Sequence, residues 1–503
     1  MSLPVELARW QFAATTIFHF FFVPVTIGLS VIVAVMQTLA YRHRRDTLPA
    51  APAGGPGDIA ATGQGAGTAS QGASALPAGE GGSKAEQWMA LSRFFGRLLL
   101  INLAVGVVTG IVLEFQFGMN WSSYSVFVGN IFGAPLAIEG LLAFFLESTF
   151  VGLWVFGRDK LPPLVHLLTI WATSLGTVLS AFFILAANSW MQHPVGYKVV
   201  AGSGGKKAVL TDFWAVLRNS TLWASFFHTV TAAFVTGGAL VLVISLWHVK
   251  RNEHRAVFAR AARFALVFSL ASVLVTCFAG DTQGRLMETQ QPMKMASAEA
   301  IYDTANGASF SLITIGNLSS QQPVFQIRVP HMLSMIADLS WDGQVKGIDQ
   351  IQTAETAKYG KGSYVPVLWI TYWSFRLMVG AGFLLIVLMA WGIFMWRRRR
   401  LDGSVWFYRA AIVGAVLPFL ANTTGWIFTE AGRQPWLVYG LMRTVEGVSP
   451  GVSTADVLAT LVGFVAIYSV LGAIDAVLMV RSARRALDEP EEHEPAVVPG
   501  LVY

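Results

Sequence analysis

The stretch Gly425–Trp436, GWIFTEAGRQPW, closes an apolar run that begins near Ala410 and sets Glu430, Arg433 and Gln434 where a helix should end. Pro435 cannot extend that helix and biases the residue before it towards extended backbone. A carboxylate is costly in lipid, so Glu430 must face protein, water or a bound group, and Arg433 cannot face lipid either. The stretch therefore reads as the end of a transmembrane helix at the rim of a site.

Working outward, the same apolar texture recurs along the whole chain. Of 503 residues, 54% are hydrophobic and 13% charged, too apolar for a water-soluble fold. Crossing a bilayer takes roughly 20 apolar residues. Runs of that kind cover 12–41, 96–117, 131–157, 163–188, 221–248, 261–280, 366–396, 408–430 and 455–480. The expected fold is an all-α, polytopic membrane helix bundle with nine transmembrane helices, a single membrane domain over 1–503. Residues 1–11 lack a basic n-region and a cleavage site, so the first span is expected to stay in the protein.

Lys and Arg in the short connections set orientation. They cluster after spans one (Arg42, Arg44, Arg45), three (Arg158, Lys160), five (Lys250, Arg251, Arg255), seven (Arg397–Arg400) and nine (Arg481, Arg484, Arg485), whereas Gly118–Asn130 carries no charge. The N-terminus is expected outside and the C-terminus in the cytoplasm. The net charge of +6 is then an anchoring bias towards lipid on the cytoplasmic face and gives no argument for nucleic acid. Residues 46–86, rich in Ala, Gly, Ser and Pro, read as a disordered cytoplasmic insertion, and 486–503 as a disordered tail. Residues 281–365 form the longest outer segment, expected to be a folded lid. Cys277 is the single cysteine, which excludes an internal disulfide, a Cys-rich iron–sulfur cluster and a Cys-x-x-Cys-His haem attachment.

Within the spans the polar residues stand out. Glu139 and Glu147 on span three are eight apart, which on an α-helix separates them by about 80° and about 12 Å. Two carboxyls stepping inward suit a proton path; the plainer reading is a pair of neutral, hydrogen-bonded carboxyls holding helices together. Glu114 ends span two. His19 in span one sits among aromatics, and His228 in span five on an apolar face, where a lone histidine is often a satisfied core residue. Span seven offers a second ligand in Met378, with Arg376 beside it; His plus Met is a common low-spin haem pair, and a buried Arg needs an anionic partner such as a propionate. His166 lies near the inner interface and is expected to be only hydrogen-bonded. Lys294 and Glu299, just outside the bilayer, read from spacing alone as a solvated pair. His19, His228, Met378, Arg376 and Glu430 all lie in the outer half of the spans, which suits a membrane haem protein.

The motifs LEFQFGMNW, GAPLAIEGLLAFFLEST, NSWMQHPVG, FRLMVGAG and EAGRQPW resemble those of subunit I of the cytochrome bd quinol oxidases, from Val5 to about Arg485 apart from the 46–86 insertion. The resemblance implies a bacterial cytoplasmic (inner) membrane enzyme, a terminal oxidase of aerobic respiration that passes electrons from quinol to O2 with cytoplasmic protons, conserving energy without a pump. It implies three cofactors: a low-spin haem b (b558) on His228 and Met378, and a high-spin haem b (b595) and a haem d on His19 and Glu430, in an order left open. It further implies quinol contacts at Lys294, Glu299, Arg433 and Gln434, a proton route through Glu139 and Glu147, and Glu114 and Trp426 close to the haems. The implied partners are a second subunit and a small single-span subunit. Two departures stand out: the outer segment is of the short form, and Asn130 occupies a position that is often acidic. Competing readings are a di-haem electron carrier, which leaves His19, Glu430 and the carboxyls idle; a proton-coupled transporter, which leaves the His–Met pair idle; and a haem–copper oxidase, which needs more intramembrane histidines.

Overall fold

A computed structural model describes residues 3–47, 82–202, 205–318 and 322–487. The insertion expected at 46–86 falls mostly on 48–81, and the tail at 486–503 mostly on 488–503; both stretches lie outside the described residues. Among the described residues nine helical spans are long and apolar enough to cross a membrane, and each expected window lies on one of them.

The spans are α1 (Leu3–Thr47), α2 (Lys84–Met119), a composite third span, α5 (Pro163–Gln192), α7 (Ser220–Arg251), α8 (Arg255–Gln290), α12 (Leu368–Arg397), a broken eighth span and α16 (Thr454–Ala483). Several outrun their apolar windows because polar termini extend them. α2 begins at Lys84 behind a capping box in which the Ser83 side chain accepts from Glu86 N and Glu86 reaches back to Ser83 N. α8 continues through 281–290, where Asp281 and Arg285 form an i,i+4 pair at 2.5 Å. The outer segment therefore starts as helix.

The third span departs from expectation. α3 (Ser122–Ile138) runs into a π-helical turn, Glu139–Phe144, and then α4 (Phe145–Phe156). The wider turn changes the angle per residue, so the α-helical spacing expected for Glu139 and Glu147 does not hold, and such turns often mark functional positions. The eighth span breaks between α13 (Val405–Gly414) and α14 (Leu417–Ala431), with Pro418 in the first turn of α14.

Helices α1 and α7 approach closely: a Cβ on Gly237 would lie 2.6 Å from the Gly28 carbonyl carbon, so only small residues allow this crossing. A buried core of α1, α2, α7, α8 and α12 fills the half of the bundle away from the N-terminus. At the N-terminal face the connections fold over the bundle as two-stranded antiparallel ribbons, β1 (Tyr197–Gly202) with β2 (Gly205–Leu210), β3 (Ala305–Asn306) with β6 (Gln344–Val345), β4 (Phe310–Asn317) with β5 (Gln322–Val329), and β7 (Trp436–Val438) with β8 (Met442–Arg443). The all-α expectation holds for the spans, not for these caps. Between β2 and β7 the outer segment also contributes the helices α9 (Pro292–Glu299) and α11 (Ile348–Tyr359), packed on Leu368 and Tyr372 at the start of α12.

Candidate functional site

His19 Nδ1 lies 2.9 Å from the Thr109 hydroxyl on α2. That hydroxyl also lies within donating distance of its own helix, 2.9 Å from Gly106 O and 3.0 Å from Val105 O, and with its proton there it accepts from the ring. In that arrangement the ring carries its proton on Nδ1 and its lone pair on Nε2. His228 repeats the arrangement: its Nδ1 is 2.9 Å from the Thr276 carbonyl of α8, which can only accept. The carbonyl holds His228 in the tautomer a metal needs, and both imidazoles are oriented through Nδ1, the nitrogen that would not bind it.

Three of the four candidate ligands also rest on a glycine. A Cβ on Gly110 would sit 3.1 Å from His19 Cε1, one on Gly280 3.2 Å from His228 Cε1, and one on Gly425 2.9 Å from Met378 Sδ. Close packing of this kind fixes ring and thioether positions. Arg376, half a turn before Met378, is buried and pairs with Glu299 at 2.6 Å. The anionic partner expected as a propionate is therefore a protein carboxylate at one Nη; Arg376 Nε and Nη1 are buried with no partner among the described residues. Two oriented imidazoles, a packed thioether and a half-satisfied guanidinium together fit haem irons and an acidic haem edge.

The GRQPW corner forms as expected, with α14 ending at Ala431. Glu430 Oε1 accepts from Asn188 Nδ2 at 2.9 Å, and Oε2 accepts from Arg433. Gln434 accepts from the Thr444 hydroxyl at 2.7 Å. Lys294 is drawn into this corner, donating to Thr429 O at 3.0 Å and to Gln192 Oε1 at 3.4 Å. Trp426 meets Phe20, the neighbour of His19, edge to face at 4.7 Å.

Lys294 and Glu299 are 7% and 1% exposed, so the solvated pair read from their spacing is overturned. They do not pair with each other: on α9 Lys294 faces the corner, while Glu299 faces Arg376 and the backbone N–H of Ser311, 3.0 Å away. Burial pushes Lys294 down to about 7. Burial likewise raises Glu299, against the pull of Arg376. The two halves are bridged by rings: Lys294 Nζ lies 5.2 Å from the Phe428 ring, Phe428 is 4.8 Å from Phe375, and Arg376 lies 5.0 Å over Phe375.

On the third span Glu139 Oε1 accepts from the Ser180 hydroxyl at 2.6 Å, and its Oε2 is buried without a partner among the described residues. Glu147 is buried where α5 comes close, a Cβ on Gly176 falling 2.9 Å from Glu147 N. Glu114 is exposed on the chain surface. Asn130 takes a structural role, accepting from Leu210 N at 2.8 Å and so holding the β1–β2 ribbon. His166 uses both ring nitrogens, on Gln37 and on Trp154 O, each at 2.8 Å, as expected of a structural histidine. Among the described residues no three His, Cys, Asp or Glu side chains gather in a group that could hold a metal ion.

Several participants carry no sequence signal. Thr109 looks like an ordinary helix residue, and Asn188, although it opens the NSWMQHPVG motif, gives no sign of meeting Glu430. Glu355 on α11, 7% exposed, shares a cavity with Lys294, Arg433 and Gln434 although it lies more than fifty residues from any of them in sequence.

The family model for cytochrome bd terminal oxidase subunit I matches residues 7–50 and 82–487, leaving out most of the Ala/Gly-rich insertion. The chain is 39% identical to the cytochrome bd ubiquinol oxidase subunit 1 of Bacillus subtilis (strain 168), over 97% of its own length and 95% of the relative's. It is 30% identical to the cytochrome bd-II ubiquinol oxidase subunit 1 of Escherichia coli (strain K12), over 98% of each. Its fold resembles that of the bd oxidase from Geobacillus thermodenitrificans, with a TM-score of 0.79 at 24% identity, covering 96% of this chain and 98% of the other.

Proposed function

This chain belongs to the cytochrome bd terminal oxidase subunit I family, and from that premise we propose how its residues divide the work of a quinol:O2 oxidoreductase. Membership implies quinol oxidation, O2 reduction, haem cofactors, a second subunit and a multi-pass bacterial membrane setting. The observation that carries the finer reading is the pair of imidazoles, His19 and His228, each with Nδ1 committed to a helix acceptor and Nε2 left as the basic nitrogen.

His228 and Met378 would hold the low-spin haem b, while His19 and Glu430 would hold the high-spin haem b and haem d. When bound, these groups supply one-electron transfer and O2 chemistry. The protein's own residues do the rest. Arg376 offers its two free donors to an acidic haem edge, and Glu299 neutralises its remaining charge. Lys294, Arg433 and Gln434 orient the quinol head at the N-terminal face, which the Lys and Arg bias of the opposite connections makes the outer face, with the C-terminus cytoplasmic. Glu147 and Glu139 step protons from the cytoplasmic side towards the haem ligands, with the π-helical turn between them and Ser180 holding Glu139. Protons released outside and taken up inside separate charge without a pump. A small single-span subunit completes the assembly, in the cytoplasmic membrane.

Glu147→Gln tests the proton assignment. Quinol-driven O2 consumption should fall at least tenfold with the KM for quinol unchanged; an unchanged rate removes Glu147 from the path.

A further inference from the structure

Glu299 faces away from the corner that holds Lys294, Arg433 and Gln434, and Glu430 there is committed to Arg433 and Asn188, so a carboxylate with an oxygen to spare must be sought elsewhere. The cavity they line has another acidic wall in Glu355. Glu355 Oε1 accepts from the Tyr439 hydroxyl at 3.2 Å, and its Oε2 is buried with no partner among the described residues. Four more buried polar atoms without partners belong to residues lining the same cavity: Arg433 Nε and Nη1, Trp436 Nε1 and Gln291 Oε1. The free space is about 10 Å³, the room one water molecule needs, and enough polar groups surround it to hold one. A buried carboxylate beside donors, with one oxygen uncommitted and a hydroxyl on the other, is built to take a proton and release it.

We propose that Glu355 is the proton acceptor on the quinol side of the enzyme and the start of the proton exit, an inference that rests on quinol binding at Lys294, Arg433 and Gln434. Quinol loses two electrons and two protons to become quinone. The electrons pass to the haems of the established reaction. Each proton in turn crosses the water-sized cavity to Glu355 Oε2, converting the carboxylate to the acid, and then leaves to the outer aqueous phase, which restores the carboxylate. The groups facing Glu355 are Tyr439 beyond β7, Lys358 and Tyr359 on its own helix, and, across the cavity, Lys294, Arg433 and Tyr364. Burial raises the Glu355 carboxyl above its ordinary range, while Tyr439 and Lys358 favour its charged form.

The test is the pH profile of quinol-driven O2 consumption by the whole complex. As a base, Glu355 gives a rate that rises with pH through its own titration. Glu355→Gln should abolish that limb and lower kcat about tenfold or more, with the dithionite-reduced spectrum unchanged. Glu355→Asp should restore part of the rate. Tyr439→Phe, which removes the donor to the carboxylate, should move the limb to higher pH without abolishing it. A Glu355→Gln enzyme with the wild-type rate and limb overturns the proposal, and so does a loss of rate accompanied by loss of haem bands. Lys294→Gln separates the two readings: if it leaves the KM for quinol untouched, the quinol site itself is wrong. If it raises KM while Glu355→Gln changes nothing, only the role of Glu355 fails.

Discussion

His19 and Thr109 are joined by a 2.9 Å hydrogen bond from ring Nδ1 to hydroxyl, and the same Thr109 accepts at its backbone carbonyl from the Tyr468 hydroxyl of α16 at 2.5 Å. Three spans, α1, α2 and α16, therefore converge on the orientation of one imidazole. Removing the hydroxyl with Thr109→Val leaves a buried N–H unpaired, which costs about 1–3 kcal/mol. Loss of such an outer partner typically weakens metal binding about 10–100-fold. If His19 is a haem ligand as proposed, the variant should purify with reduced haem content and a shifted spectrum in the same bands that a His19→Ala variant should lose. Wild-type stoichiometry and spectrum would remove Thr109 from the ligand's support.

Gly425 tests the thioether. A methyl there would stand 2.9 Å from Met378 Sδ, closer than real side chains tolerate. Gly425→Ala should displace the sulfur and convert low-spin haem b to a high-spin form, read by electron paramagnetic resonance and by loss of the sharp reduced band. An undisturbed low-spin signal would show that Met378 is packing rather than ligand.

Glu299 and Arg376 form a buried pair at 2.6 Å. Breaking a buried ion pair from one side costs about 3–5 kcal/mol because the other charge is stranded, whereas replacing both by apolar groups is often near neutral. Glu299→Gln and Arg376→Met should each lower the Tm of the complex, and the double variant should recover part of the loss. Strictly additive losses would mean the pair is not coupled.

Lys294 gives a pH signature. Burial pushes its ammonium down to about 7, below its ordinary value, so above pH 7 the folded chain holds fewer protons than the unfolded chain until the ordinary lysine value is reached. Stability contributed by this group therefore rises with pH across that window and is lost as pH falls through 7. Lys294→Met should flatten the rise in Tm between pH 7 and pH 9. An identical slope in the variant would contradict burial of an uncharged amine.

The spans were legible in the sequence because apolar runs of bilayer length have few other uses, and the candidate ligands drew notice because polar residues inside such runs are rare. The pairing of partners was not legible. Arg376 demanded an anion, but that Glu299 would supply it depends on α9 folding back over the start of α12, which no local pattern announces. Lys294 and Glu299 looked solvated for the same reason: the lid that buries them is assembled from residues 291–367, distant from one another in sequence. The π-helical turn at Glu139–Phe144 left no mark in a run of apolar residues, so an α-helical angle was the natural expectation. Glu355 sits in an unremarkable amphipathic helix, and only the tertiary fold brings it to the GRQPW corner.

Under the proposed assignment His228 and Met378 would hold one haem iron, while His19 and Glu430 would hold the haems that serve O2. The most direct measurement is a reduced-minus-oxidised visible spectrum of the purified complex, followed by CO. That assignment requires b-type bands together with a chlorin band at the red end, and a CO response in the latter. A b-type spectrum indifferent to CO would leave an electron carrier and contradict the oxygen chemistry assigned to His19 and Glu430.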